Sequence, residues 1–489
     1  MKAVRTTLSW AVVCSLGITA ASPLLASDLE LYVDTRTKQI FAEPGEGRVP
    51  MGKFRAVDNA APASAPQAAP VSKQEILAEV DKKIADNNSK TQASGIKIRG
   101  YVQARYSTLV GGDKAIDLWT DRSVGDTNSL SNNVDNFLIR RGRLVFQGDI
   151  GDKFSYYIQP DFASAAGTGN NNFFQLRDAY GDIALDKEKV HRFRVGQSKV
   201  PYGFENLQSS QNRLTLDRAD ALNSAVRDER DTGVFYYYTP TEVQKLFSEI
   251  SKAGLKHSGN YGQFALGLYN GQGSNRRDTN DGLHTVARYT QPFKTASGQF
   301  YEFGIQGYTG KFVPTTGAFR TAANVNTPGT NTTSVANNTN DPRLRDGFDD
   351  QRVGVSAVMY PQPFGLQAEW NWGKSPGLEN DTRLIDDRDI SGGYVQAMYL
   401  HKTNGYGNVL PFIKWQYFDG YNKAETNAPK NEVNDIELGV EWQLSKEVEL
   451  TAVYHMMDRT NIVTGNRLGR ADYANFTSDA LRLQVQYNF

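Results

Sequence analysis

Residues Asp479 to Phe489 alternate strictly, with Leu481, Leu483, Val485, Tyr487 and Phe489 apolar and Arg482, Gln484, Gln486 and Asn488 polar between them. A period of two over that length predicts a β-strand, and about 9–11 residues is the length that crosses a bilayer at a tilt. Taken alone, the segment also fits a half-buried strand of a soluble sandwich. The same alternation begins at Ile96. It predicts strands at about 96–108, 137–150, 153–163, 174–185, 191–199, 254–259, 262–270, 283–292, 299–309, 351–360, 364–373, 391–402, 408–418, 433–445, 447–457 and 478–489.

The connections between these strands alternate in length. Tight ones fall at Gly151-Asp152, Asp186 to Val190, Asn260-Tyr261, Phe293 to Gly298, Pro361 to Pro363, Thr403 to Gly407 and Ser445-Lys446. Long ones run from Val110 to Asn136, Pro201 to Ala253, Gly310 to Asp350, Lys374 to Ile390 and Arg459 to Thr477. Short turns at one end and long loops at the other predict an all-β fold, a transmembrane antiparallel β-barrel of about 16 strands occupying residues 95–489. The run Val234-Phe235-Tyr236-Tyr237-Tyr238 also reads as a strand and would make the count odd. It is assigned to the third long loop, at about 201–253, because Val243, Leu246, Phe247 and Ile250 recur beside it at helical spacing. The alternative keeps it as the descending strand and makes Gly254 to Gly259 the extra piece.

At the other end, Lys2 and Arg5 precede an apolar run from Leu8 to Ala21 and then small residues to Ser27. This reads as a secretory signal peptide, residues 1–26, too short for a spanning helix. Residues 27–55 form a small N-terminal segment, periplasmic if the barrel lies in an outer membrane, in which a hairpin is expected. Residues 56–70 are an extended Ala/Pro linker. Residues 71–90 hold a short amphipathic helix that opens on the capping box Ser72 to Glu75 and carries Leu77, Val80 and Ile84 at heptad spacing. It forms either a trimeric coiled coil or a solvated helix on a tether.

Composition fits a barrel. The 489 residues are 39% hydrophobic, with a mean hydropathy of −0.53, and hold no second apolar run long enough for a helical span. A barrel needs only every second residue to be apolar. The 24 tyrosines, 24 phenylalanines and 44 glycines suit aromatic girdles and strand bends. The sole cysteine, Cys14, lies in the predicted signal peptide, which excludes disulfides, thiolate metal sites and cysteine nucleophiles from the mature chain. The formal net charge is +0, so ion preference depends on where the charges sit.

The lipid must see the apolar face, and this orients each strand. Ile96, Ile98, Val102, Ala104 and Tyr106 face out, which turns Lys97, Arg99, Gln103 and Arg105 inward. Leu144 and Phe146 out places Arg141 and Arg143 in. Phe193 and Val195 place Arg192 and Arg194 in, Ile413, Trp415 and Tyr417 place Lys414 in, and Arg482 joins from the last strand. In this register Arg140 falls on the lipid side. Inward acids are Asp149, Asp161, Glu369, Glu437, Glu441 and Glu449, so one wall should be positive and another acidic. The third loop adds Glu205, Arg213, Asp217, Arg218, Asp220, Arg227, Asp228, Glu229, Arg230 and Asp231. Folded inward, it would form a constriction with a transverse field; the bland reading is a salt-bridged surface loop. Guanidinium groups offer donor forks for oxyanions, so Lys97, Arg99, Arg105, Arg141, Arg143, Arg192, Arg194, Arg213, Arg218, Arg227, Arg230, Lys414 and Arg482 are expected to line the pore and attract anions.

The closing strand with its terminal Phe489 resembles the last strand of bacterial outer-membrane barrels, which serves as a handle for the barrel assembly machinery. The run Val195 to Asn206 is followed by Asp231-Thr232-Gly233-Val234, Tyr269-Asn270-Gly271, Ala287-Arg288, Pro292-Phe293 and Pro411-Phe412-Ile413-Lys414. In that order, from about residue 95 to the end, these fragments resemble the phosphate-selective porin O and P family. The resemblance implies a homotrimeric sixteen-stranded outer-membrane porin passing phosphate or polyphosphate along basic lumen residues, in contact with outer-membrane lipid and lipopolysaccharide. It singles out Lys199 as an anion-binding lysine, with a loop anchor as the other reading. The chain departs from the pattern in the many acids of its third loop and in Lys414, where arginine is expected.

Other classes are weaker. A general or weakly selective porin fits the same pattern. A barrel hydrolase would rest on His455 and Asp458 alone, and a non-conducting structural barrel is the remaining alternative. The Asn/Asp-rich loops at Asn275 to Gly282 and Asp341 to Asp350 lack EF-hand spacing. No catalytic, cofactor, metal or nucleic-acid motif is present in the sequence.

Overall fold

The computed structural model describes residues 29–36, 40–54, 95–114, 116–121, 124, 135–163, 174–317, 319–320, 332–333, 341–379, 382, 384–462 and 473–489. The chain divides into two units, Met1–Asp81 and Lys82–Phe489. The predicted signal peptide, linker and amphipathic helix lie outside the described residues. In the first unit the strands Leu29–Asp34, Ile40–Phe41 and Arg48–Phe54 pair antiparallel, with the first in the middle. A three-stranded sheet therefore stands where a hairpin was expected.

The second unit is a closed antiparallel barrel of sixteen strands among the described residues. They are β1 Lys97–Gly112, β2 Asn136–Ile150, β3 Phe154–Asp161, β4 Gln175–Ala184, β5 His191–Lys199, β6 Arg230–Tyr238, β7 Phe264–Tyr269 and β8 His284–Lys294. The rest are β9 Phe300–Phe312, β10 Phe348–Met359, β11 Phe364–Leu378, β12 Ile385–Tyr399 with its continuation His401–Lys402, β13 Asn408–Tyr421, β14 Lys430–Gln443, β15 Val448–Ile462 and β16 Tyr473–Asn488. The ring closes where β16 pairs with β1, Leu483 opposite Tyr106 and Tyr487 opposite Val102. Closure removes both sheet edges and satisfies the ladder within the wall, which a bilayer core demands.

Alternation decides which face meets lipid. Leu266, Ile305, Val355, Leu438 and Leu483 point outward and are exposed, while Phe137 is 81% exposed. Such exposure is untenable in water for so many large apolar side chains on one surface, and is the requirement in a hydrocarbon belt.

Two strand expectations are corrected. Arg230–Tyr238 is a barrel strand, pairing with β5 on one side and β7 on the other. Residues 254–259 are not a strand, and Asn260-Tyr261 is not a hairpin turn. The alternation of β6 is masked because its lumen face, Phe235 and Tyr237, is as aromatic as its outer face; both are fully buried against material that fills the lumen. The constriction loop therefore ends at residue 229, not 253. Beyond β6, residues 239–263 form a connection at the periplasmic end that carries the helix α3, Thr241–Lys252. Two outer loops are also shorter than expected, because β11, β12, β15 and β16 continue beyond the membrane span.

Candidate functional site

The lumen is filled from both ends. From the extracellular side the 200–229 loop folds inward, with the short helices α1, Phe204–Leu207, and α2, Asp220–Asn223, both buried apart from Asn223. Gly203 takes φ 77 ahead of α1, a conformation that suits glycine, and this turn aims the N–H groups of Phe204 and Glu205 at the Glu369 carboxylate of β11, at 2.5 and 2.6 Å. Further contacts reach the same wall. Lys414 Nζ donates to Glu205 at 2.6 Å, Arg459 Nη1 to Asp220 at 2.7 Å, and Arg352 Nη1 to the Ala221 carbonyl at 2.9 Å. On the opposite side Arg105 and Arg482 both grip Asp217 and Asp121, and Gln103 donates to the Ser210 carbonyl at 3.2 Å. The loop thus bridges the channel from wall to wall. The four guanidinium groups of Arg105, Arg482, Arg140 and Arg141 outweigh burial and hold the Asp217 carboxyl well below the usual carboxylate range.

From the periplasmic side, the 239–263 segment enters the mouth. Val243, Phe247 and Ile250 of α3 pack with Leu255 against the lumen-facing Phe300, Val358 and Tyr360 and against Phe204 of the constriction loop. Lys256 then reaches across to Glu441 and Glu449, at 2.6 and 2.9 Å. Burial works against its charge, but the two carboxylates outweigh it and raise the Lys256 amine above its ordinary value. The two inserts touch directly where Gln208 Nε2 donates to the Lys256 carbonyl at 3.0 Å. Sequence reasoning missed this second insert; the heptad-like Val243, Phe247 and Ile250 were the available signal.

Most of the predicted basic strand residues gather on one side, Lys414 of β13 standing instead on the wall of Glu437. Arg482 of β16, Arg105 of β1, Arg141 and Arg143 of β2, Arg194 of β5 and Arg230 of β6 follow one another around the wall, joined by Arg177 of β4. Arg140 belongs there too. It is the extra residue of a β-bulge, since Gln103 pairs with Arg141 and Ala104 with Ile139. The bulge turns Arg140 inward, where Nη2 donates to the Thr120 carbonyl at 3.0 Å and lies 3.5 Å from Asp217. A second bulge at Arg177 sets Arg177 and Asp178 both inward, so the wall gains one charge that strict alternation would have sent into lipid.

Most of these cations are paired. Arg143 Nε donates to Asp161 at 2.7 Å, Arg194 Nε to Asp182 at 2.7 Å, and Arg230 Nε to Asp178 at 3.0 Å. Arg218 is held by Glu229, and Arg177 lies 3.2 Å from the same carboxylate. Arg192 donates to the Asn260 carbonyl, and Arg227 is half-buried on the loop. Lys199 donates to the carbonyls of Asn206, Leu207 and Gln208 at 2.8, 3.2 and 2.5 Å. All three ammonium protons are used there, so Lys199 anchors the loop, at the border of the cavity that Arg99 faces. The exceptions among the described residues are Lys97, exposed at the start of β1; Arg99, whose one hydrogen bond goes to the Tyr157 hydroxyl at 3.4 Å; Arg213; and Arg227, which has no ion pair. Arg99 faces a cavity of about 260 Å3 beneath the constriction loop, shared with Tyr157, Tyr180 and Arg194, and a wider one of about 630 Å3 toward the periplasm.

The opposite wall carries Glu302, Glu369, Glu437 and Glu441, all buried. His455 and Asp458 do not form a site, because they point to opposite faces of β15. His455 meets Asp435 in the lumen at 3.0 Å, and Asp458 is exposed outside.

A sixteen-stranded closed barrel with an apolar exterior, a charged lumen and an inward third loop is the geometry on which the sequence comparisons bear. The family profile described as phosphate-selective porin O and P matches residues 117–489. The chain belongs to this family. It is therefore an outer-membrane porin, a channel protein of the bacterial outer membrane. Among solved structures, the chain is similar to the DcaP channel of Acinetobacter baumannii at 15% identity and a TM-score of 0.47, covering 81% of this chain and 97% of that one. It is similar to an OmpF of Salmonella typhi at 12% identity and a TM-score of 0.48, covering 82% and 99%. The anion-selective porin of Comamonas acidovorans matches at 12% identity and a TM-score of 0.42, covering 81% and 100%. No curated protein matches the chain in sequence.

Proposed function

We propose that this porin passes small anions by passive diffusion, with phosphate-type oxyanions the leading solutes, through each subunit of a homotrimer. The observation that carries the reading is the asymmetry between the walls. On the acidic wall Glu441 is held by Lys256, Glu302 lies 3.2 Å from Arg288, and Glu369 is occupied by two loop N–H groups, leaving one Glu437 oxygen without a hydrogen-bond partner among the described residues. On the basic wall, Arg99 has no ion pair among the described residues, and the acids that border its cavities, Asp178 and Glu449, are held by Arg230 and Lys256. Unpaired guanidinium in a narrow lumen attracts oxyanions, and its planar fork matches phosphate and carboxylate oxygens. The exposed rim, with Lys97 beside Arg99, adds to the field at the periplasmic mouth.

The test is the zero-current potential of single channels under a KCl gradient, followed by phosphate titration. A chloride-directed potential with phosphate block is expected. A cation-directed potential would refute anion preference and leave the porin fold standing. The extensive pairing of lumen charges also favours a second reading, a weakly selective pore for small neutral solutes, which a near-zero potential without phosphate block would support.

A further inference from the structure

The arginines at the seam hold two aspartates that come from different loops. Asp217 belongs to the constriction loop, and Asp121 to the first outer loop, which folds back from the end of β1 into the extracellular mouth. The two acids share the same donor nitrogens. Arg105 Nη1 donates to Asp121 and, at 2.9 Å, to Asp217; Arg482 Nη2 donates to Asp217 and, at 2.7 Å, to Asp121. Asp217 alone would supply both guanidinium groups with an acid, so Asp121 is a second carboxylate on one pair of donors. Its neighbour Thr120 covers a third group, because the Thr120 carbonyl accepts from Arg140 Nη2 at 3.0 Å. One turn therefore occupies three lumen-facing arginines.

Residues 116–121 belong to no strand, so this turn is not held by a backbone ladder. Ile116, Leu118 and Val124 are buried against Met457 and Ala480 on the inner wall. Trp119 Nε1 donates to Glu425 of another outer loop at 3.0 Å. If the turn lifts, Arg105 and Arg482 keep Asp217, and Arg105 Nη2 keeps the Gln484 carbonyl oxygen at 2.9 Å. That lowers the cost of breaking a buried pair, which is highest where a charge is left without a partner. What remains is one carboxylate, Asp217, among Arg105, Arg482, Arg140 at 3.5 Å and Arg141 at 3.6 Å. Four guanidinium groups around one acid leave donors for an anion that offers several oxygens.

We propose that the Thr120-Asp121 turn is an autoinhibitory latch: Asp121 fills an oxyanion seat formed by Arg105, Arg482 and Arg140, and a solute oxyanion entering from the outer mouth competes with it. The tether gives Asp121 an effective concentration on the order of millimolar, so a free oxyanion of similar affinity takes the seat only in that range. The latch regulates the anion pathway, and its role in permeation rests on the anion-channel reading.

The experiment uses the purified full-length protein with inorganic phosphate as the probe. Binding is measured by calorimetry in detergent and by block of chloride current in planar bilayers, and assembly of each variant by heat modifiability on gels. Asp121→Asn keeps the shape of the turn and removes its charge. It is expected to tighten phosphate binding at least about tenfold, the loss of one competing hydrogen bond between charged groups. Leu118→Ser loosens the apolar packing and keeps the carboxylate, and is expected to tighten phosphate binding by less. A gain there cannot come from removal of a negative charge. Adding Arg482→Gln to Asp121→Asn is expected to abolish the gain. Phosphate affinity unchanged or weakened in Asp121→Asn overturns the proposal, because an aspartate that only braces the wall would behave so. A gain that survives Arg482→Gln overturns it as well, by placing the phosphate elsewhere. Should Asp121→Asn fail to assemble, unchanged affinity in Leu118→Ser is the overturning result. A cation-directed wild-type potential with the gain intact would refute the anion-channel reading and leave the latch, whereas a chloride-directed potential without the gain would do the reverse.

Discussion

Single residues set the field across the constriction. Lys414 and Glu205 form a buried pair at 2.6 Å, one on β13 and the other on the loop. Removing one partner of a fully desolvated pair costs roughly 3–5 kcal/mol, and less where lumen water can rehydrate the survivor. Glu205→Gln is therefore expected to loosen the loop and shift the zero-current potential toward anions, and Lys414→Gln to loosen it and shift the potential the other way. Two variants that move the potential in the same direction would show that the pair does not face the permeation path. Arg99→Gln is expected to reduce anion preference without loosening the loop, because Arg99 donates only a long 3.4 Å bond to Tyr157. Arg105 and Arg143 are poorer probes of selectivity than alternation suggested, since both are locked to aspartates. Their inward orientation was legible from a period of two. Arg140 was not, because a bulge adds one residue and reverses the side of everything beyond it. Adjacent Arg140 and Arg141 in an otherwise alternating strand were the one local sign of it.

At the scale of elements, the 239–263 segment is the least expected feature and makes its own predictions. Its grip on the far wall rests on Lys256, so Lys256→Ala is expected to raise single-channel conductance, with little change in barrel assembly, which a heat-modifiability assay on gels checks. The hinge after α3 carries His257, whose Nε2 sits 2.6 Å from the Ser251 hydroxyl and whose Nδ1 accepts from the Gly259 N–H at 3.0 Å. Burial lowers its proton affinity from the ordinary 6.5, with Glu302 opposing weakly. A histidine depressed in the folded state binds fewer protons there than when the segment is released. Its contribution is therefore intact above about pH 6.5 and is lost as the pH falls through the lowered folded value. Hydrogen exchange of the Thr241–Lys252 amides, corrected for intrinsic rates, should speed up from pH 7.5 to 5 in the wild type and respond less in His257→Gln. Equal responses in the two proteins would assign the effect elsewhere.

For the whole molecule, the wall and its filling have different physical origins. The wall is closed by backbone pairing and a hydrocarbon exterior and the filling is held by buried ion pairs and caps, whereas the field that selects ions comes from charges open to the channel electrolyte, such as exposed Lys97 and half-buried Arg99. Selectivity should therefore respond to salt more than assembly does: the zero-current potential is expected to shrink as ionic strength approaches 1 M, where the screening length falls to about 3 Å, while the barrel persists. Shortening the constriction loop between Ser210 and Val226 should raise conductance severalfold and cost selectivity, since that stretch carries Arg213, Asp217 and Asp220 across the lumen.

By itself the sequence determined the all-β class, a count of about sixteen strands, the face each regular strand presents, and the clustering of basic strands at the seam where β16 meets β1. Each of these comes from a period of two and from the rule that lipid must meet apolar side chains, which act residue by residue along the chain. Only the tertiary structure decided which of two candidate segments was the sixth strand, because the filled lumen makes the inner face of Arg230–Tyr238 as aromatic as its outer face. It also decided which cations are free. Whether Lys199 caps a loop, Arg105 grips Asp217 or Arg213 faces a cavity depends on groups far apart in sequence that the closed wall brings within hydrogen-bond reach.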